Sequence, residues 1–76
     1  MTKELFEALS NLDEHEIKRI FLSYEKQTWT SEEAFWRGVH KARTAMVKLP
    51  LEKRQESKRW LLEHGSEPWD GGEVQL

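Results

Sequence analysis

The side chains that could do chemistry in this chain are three histidines, fourteen carboxylates, four tryptophans and a run of cations. His15, His40 and His64 fall on three different segments, with no His-x-x-x-His or His-x-x-Glu-His pair. A zinc site needs three or four converging ligands, so this spacing predicts no metal and no cofactor. Acid/base catalysis requires carboxylates held in a cleft that shifts their pKa values; Glu32-Glu33 instead suits the start of a helix, where acids favour the dipole. Gly71-Gly72 has no helix behind it and makes no phosphate loop. There is no cysteine, which removes thiolate nucleophiles, thiolate metal sites and disulfide staples. The expectation is a protein that is not an enzyme.

The tryptophans and cations remain. Trp29, Trp36, Trp60 and Trp69 are a high content for 76 residues. Residues 1–33 carry a net charge of −4, residues 34–59 a net of +6 and residues 60–76 a net of −4. The basic block therefore lies between acidic ends. It either cancels against its acidic neighbours within a Debye length of about 8–10 Å, or it offers a cationic surface to an acidic partner.

The elements that must position these groups are helical. No segment alternates apolar and polar residues with β-branched enrichment, so no strand is predicted. A short first helix over about residues 3–9 has Thr2 as N-cap and Leu5, Phe6 and Leu9 on one side. The second, over about 13–27, is capped by Asn11 or Asp13. Its Ile17, Ile20, Phe21 and Tyr24 fall at i, i+3, i+4 and i+7, on one stripe, and Leu22 lies off it. The third opens with the capping box Thr30-Ser-Glu-Glu33, Trp29 standing before the cap as a staple onto Ala34. It continues to about residue 48, with Phe35, Val39, Ala42, Met46 and Leu49 in a 4-3-4-3 seam. Gly38, beside that seam, is explained most simply by the close approach of another helix. Leu49-Pro50-Leu51 makes a turn with Pro50 at the first helical position. A fourth helix over about 51–64 stops at Gly65, with Leu51, Leu61 and Leu62 as its apolar face.

The predicted fold is all-α: a small bundle of three main helices preceded by a short one, over residues 1–65, with a flexible acidic C-terminal tail over 66–76. So short a chain buries little more than half of its unfolded surface and should be only a few kcal/mol stable. The longest apolar run is three residues, too short for a signal-peptide core or a membrane span. A cytoplasmic single domain that does not engage membranes is the expectation.

On the helical wheel Trp36, His40, Arg43 and Val47 share an arc of helix three away from its seam, and Trp60 falls nearly opposite Leu51 and Leu62. These indoles either close the edges of a wide core or stand exposed as binding anchors, since Trp and Arg dominate interface hot spots. The reading taken forward is a small interaction module that binds and modulates another protein through Trp36, His40, Arg43, Val47 and Trp60, that partner presenting an acidic surface. Regulators, inhibitors and accessory subunits, including those of phages and other mobile elements, are often such small motif-free chains. The alternative is nucleic-acid binding or a transcription-associated role, with Lys41, Arg43, Lys48, Lys53, Arg54, Lys58 and Arg59 tracking a phosphate backbone. Against it stand the two carboxylates in the first turn of helix three and a pI of about 5.9. A homodimer whose interface contains the off-stripe tryptophans, with a contribution from the helix-three seam, is the third class.

Overall fold

The computed structural model describes residues 2–25, 29–65 and 74–76. Four helices and no strand occur among the described residues: α1 (Lys3–Asn11), α2 (Glu14–Glu25), α3 (Glu32–Ala45) and α4 (Leu51–Glu63). The chain divides into two compact units, Met1–Thr30 and Ser31–Leu76. No helix among the described residues is long and apolar enough to cross a membrane.

In the first unit α1 packs on α2. Thr2 caps α1, its hydroxyl accepting from the Leu5 amide at 3.2 Å. The helix ends through Leu12 in the left-handed region, φ 52°, whose amide returns to the Ala8 and Leu9 carbonyls. Asp13 then caps α2, accepting from the Glu16 amide at 3.2 Å. Glu16 turns its own carboxylate onto Arg19 at 2.7 Å, and the same guanidinium reaches Glu4 of α1 at 3.6 Å. Ala8, Leu9, Ile17 and Ile20 are buried, while Leu22 is exposed as its place off the stripe requires. Lys18 stands 5.6 Å over the Trp29 ring.

In the second unit α3 packs on α4. The α3 cap is Ser31, one residue later than predicted, its hydroxyl accepting from the Ala34 amide at 3.1 Å. Phe35, Val39, Met46 and Leu49 of the seam are buried. The helix itself stops at Ala45, earlier than expected. Met46 and Leu49 are buried by a turn, closed by a 2.9 Å bond from the Leu49 amide to the Met46 carbonyl. Arg54 secures that turn from α4, its Nε donating to the Leu49 carbonyl at 3.0 Å. Pro50 lies just outside α4 rather than at its first position, and its carbonyl accepts from the Lys53 and Arg54 amides. Gly65 follows α4 with φ 78°, the left-handed residue that a helix end favours.

Two local expectations fail. A Cβ on Gly38 would meet nothing within 4 Å among the described residues, so α4 makes no close approach there. The α4 face is not Leu51, Leu61 and Leu62: Leu61 is buried, but Leu51 and Leu62 are 49% and 39% exposed, and Ser57 takes the second buried position. Most of the expected tail, residues 66–73, lies outside those described. Its last residues do not hang free, because Val74 is buried at 5% exposure.

Candidate functional site

The α3 arc of Trp36, His40, Arg43 and Val47 is the place to begin. Spacings of four and three bring Trp36, His40 and Arg43 to one side of α3, while Val47 falls in the turn beyond Ala45. On α4 and its C-cap the 3-4-3 set Arg54, Ser57, Leu61 and His64 forms a comparable stripe. The two stripes meet through their polar members. His40 Nδ1 lies 2.9 Å from the Ser57 hydroxyl, and Arg43 donates to the same hydroxyl at 2.9 Å. The second Arg43 partner is the Glu56 carboxylate at 3.0 Å. Arg43 is 1% exposed and His40 4%. A buried charge is costly unless paired and hydrogen-bonded, and the Ser57–Glu56 pair of acceptors meets that need.

Arg43 can only donate, which strengthens the Ser57 hydroxyl as a donor in its turn. We therefore assign the hydroxyl proton toward His40 Nδ1, with the ring proton on Nε2. The His40 imidazole is held well below its usual range, at about 4. Burial is the main cause; the Arg43 charge adds to it, Glu56 opposes, and His64 lowers it further. The ring is thus neutral at physiological pH.

The aromatic side chains form a column beside this polar cluster. Phe35 and Trp36 meet edge to face at 5.1 Å, and Trp36 lies 6.3 Å from His40. His40 stacks on Trp60 at 4.4 Å, and Trp60 stacks on His64 at 3.8 Å with only 12° between the planes. Both faces of the Trp60 indole are therefore covered by imidazole. His64 is fixed in turn, its Nδ1 donating to the Trp60 carbonyl at 2.8 Å. Arg37 of α3 reaches across to the His64 carbonyl as well as to Glu33.

The five side chains assigned to a partner thus divide. His40 and Arg43 belong to the interior between α3 and α4, a correction whose cause is direct: burial takes both off the surface, and each has a hydrogen-bonding partner on α4. Trp60 is half-buried with its faces taken, and Trp36 is half-buried at the head of the column. Val47 is the open one, at 80% exposure. Among the seven cations assigned to nucleic acid, Arg43 and Arg54 are committed as described, and Lys58 donates to the Val74 carbonyl at 2.8 Å. Lys48 and Arg59 stand exposed. No group of three metal-ligating side chains occurs among the described residues.

Ser57 is the residue that sequence reasoning passed over. Its signal was available as the 3-4-3 spacing through Leu61, masked by the louder leucines at 51 and 62. A serine beside a histidine suggests a nucleophile and its base, but this hydroxyl has no surface exposed to solvent. In this conformation it reaches no substrate, and its chemistry is to join two helices.

No protein-family model matches this chain, and no curated protein or solved structure does. Any functional reading therefore rests on the side chains themselves.

Proposed function

We propose that the chain is a small non-enzymatic interaction module that binds another protein in the cytoplasm and modulates it. The observation that carries this reading is the apolar surface left on the second unit: Val47, Leu51 and Leu62 stand 80%, 49% and 39% exposed around a hairpin whose interior is filled partly by polar residues. A helix pair that buries a serine and an arginine while leaving two leucines of α4 outside has its apolar groups placed for contact. Scattered surface leucines are ordinary, but Leu51 and Leu62 lie eleven residues apart, within about 20° on the wheel of one helix. Trp36 on α3 is half-buried and supplies a partly open aromatic edge on the same unit.

The same cations that suggested nucleic acid favour a protein partner. Arg43, Arg54 and Lys58 are occupied by carboxylate, hydroxyl or backbone carbonyl groups. Acids on the partner would be oriented by the remaining cations rather than bound by a continuous track.

A photo-cross-linker placed at Val47 tests the reading in an extract of the source cells. It should capture a defined protein, and Trp36→Ala should reduce that capture while costing no more than about 1.5 kcal/mol of stability. A loss of about 3–5 kcal/mol, typical of an aromatic truncated within a core, would overturn the role given to Trp36. Absence of any specific product at Val47 would overturn the module itself.

A further inference from the structure

Leu51, Gln55, Lys58 and Leu62 follow a 4-3-4 spacing and so share one stripe of α4, set to the side of the Ser57–Leu61 stripe that meets α3. The end of the chain lies on it. Gln55 Nε2 donates to the Gln75 carbonyl at 2.7 Å, and Lys58 Nζ donates to the Val74 carbonyl at 2.8 Å. The later tail residue is held by the earlier helix residue, so the tail returns along α4 toward its start. Its Val74 side chain is 5% exposed, whereas Gln75 and Leu76 are exposed.

These contacts have the grammar of peptide recognition. Backbone carbonyls are common to every sequence, so the Gln55 and Lys58 bonds recognise an extended chain as such. The apolar side chain tucked beside them supplies selectivity. Among the described residues, Val74 and Gln75 meet the middle of the stripe, and Leu51 and Leu62 at its ends are 49% and 39% exposed. Eleven residues of helix span about 16 Å. An extended peptide covers that distance in about five residues.

We propose that this stripe is a docking site for an extended segment of a partner protein, about five residues long, aliphatic at its centre and apolar at its ends. The chain's own Val74-Gln75-Leu76 occupies the site in cis as an autoinhibitory strap. The site deepens the interaction-module reading and rests on it. Tethering makes the strap an effective competitor, since a short linker sets a local concentration in the millimolar range. A partner segment gains by covering Leu51 and Leu62, which the strap leaves open.

The probe is a fluorescein-labelled peptide of the chain's own residues 72–76, Gly-Glu-Val-Gln-Leu, read by anisotropy against full-length chains. Val74→Asp should release the strap and bind the probe at least about tenfold more tightly than wild type, a difference of about 1.4 kcal/mol. Adding Lys58→Ala to that variant should abolish the gain. Equal binding by wild type and Val74→Asp, or no binding by a Val74→Asp chain with the wild-type helical spectrum, overturns the site. If Val74→Asp loses its helical signal, the wild-type chain gives the answer. Its Val74 methyl resonances should move to the released position as millimolar unlabelled probe is added, and a spectrum that stays fixed overturns the strap. None of these results alters cross-linking at Val47, so failure of the stripe is distinguishable from failure of the module.

Discussion

At the scale of single residues, the second unit is held by a serine. Ser57 accepts from Arg43 and faces His40 Nδ1, so Ser57→Ala removes one partner from each at once. Stranding a buried polar group costs about 1–3 kcal/mol, and urea unfolding of Ser57→Ala should show a loss in that range. His40 adds a dependence on pH whose sign is fixed. Its folded pKa of about 4 lies below its ordinary 6.5, so between these values the unfolded chain takes up a proton that the folded chain refuses. The His40 contribution is complete above about pH 6.5 and is lost as the pH falls toward 4, by up to about 3 kcal/mol. Denaturant midpoints measured from pH 7.5 to 4.5 should fall in wild type and flatten over this window in His40→Gln. A wild-type midpoint that does not change would show that the ring is not held neutral.

At the scale of elements, what could be read from the sequence was whatever depended on local spacing or on a single cap. Thr2, Asp13 and Gly65 act at helix ends as their types require. The α2 stripe is legible for the same reason, as Ile17 and Ile20 are both buried and Leu22 is not. The α4 face was misread because leucine content was taken as the guide to burial. Arg43 and His40 need hydrogen-bonding partners more than Leu51 and Leu62 need apolar ones, and that need selected the stripe of Ser57 and Leu61. The 3-4-3 spacing through Ser57 was present but carried too little apolar content to stand out, so the candidate site was legible in its residue types and not in its direction. Gly38 is the other element-scale lesson. It stands mid-helix with open space where a Cβ would go, so Gly38→Ala should stabilise the chain by about 0.5–1 kcal/mol. Thermal melting checks this, and a destabilised variant would mean that something does approach that face.

At the scale of the whole molecule, the charge map is the main guide to behaviour. The net of +6 over residues 34–59 looks like a track for phosphates. Three of its cations are instead inside the hydrogen-bonding scheme of α3, α4 and the chain end. Mixed-sequence duplex DNA should therefore bind more weakly than about 10⁻⁴ M at physiological salt, the weak limit for non-specific binders. Tighter binding that falls steeply between low and moderate salt would return the basic block to nucleic acid.

The bond from Arg37 to the His64 carbonyl governs more than the end of a helix. The last carbonyls of a helix have no partner of their own, and here one is supplied by a side chain 27 residues earlier. The serine, the Arg43–Glu56 pair and the Trp60 stack likewise join α4 to α3 rather than α4 to itself. A synthetic peptide of α4 alone would be largely coil, since thirteen residues are too few for a stable free helix. The helix is therefore expected to consolidate as it meets α3, after α3 itself has formed. Substitutions in its polar contacts should then speed unfolding and leave the refolding rate nearly unchanged, so the lifetime of the folded state is set at this seam.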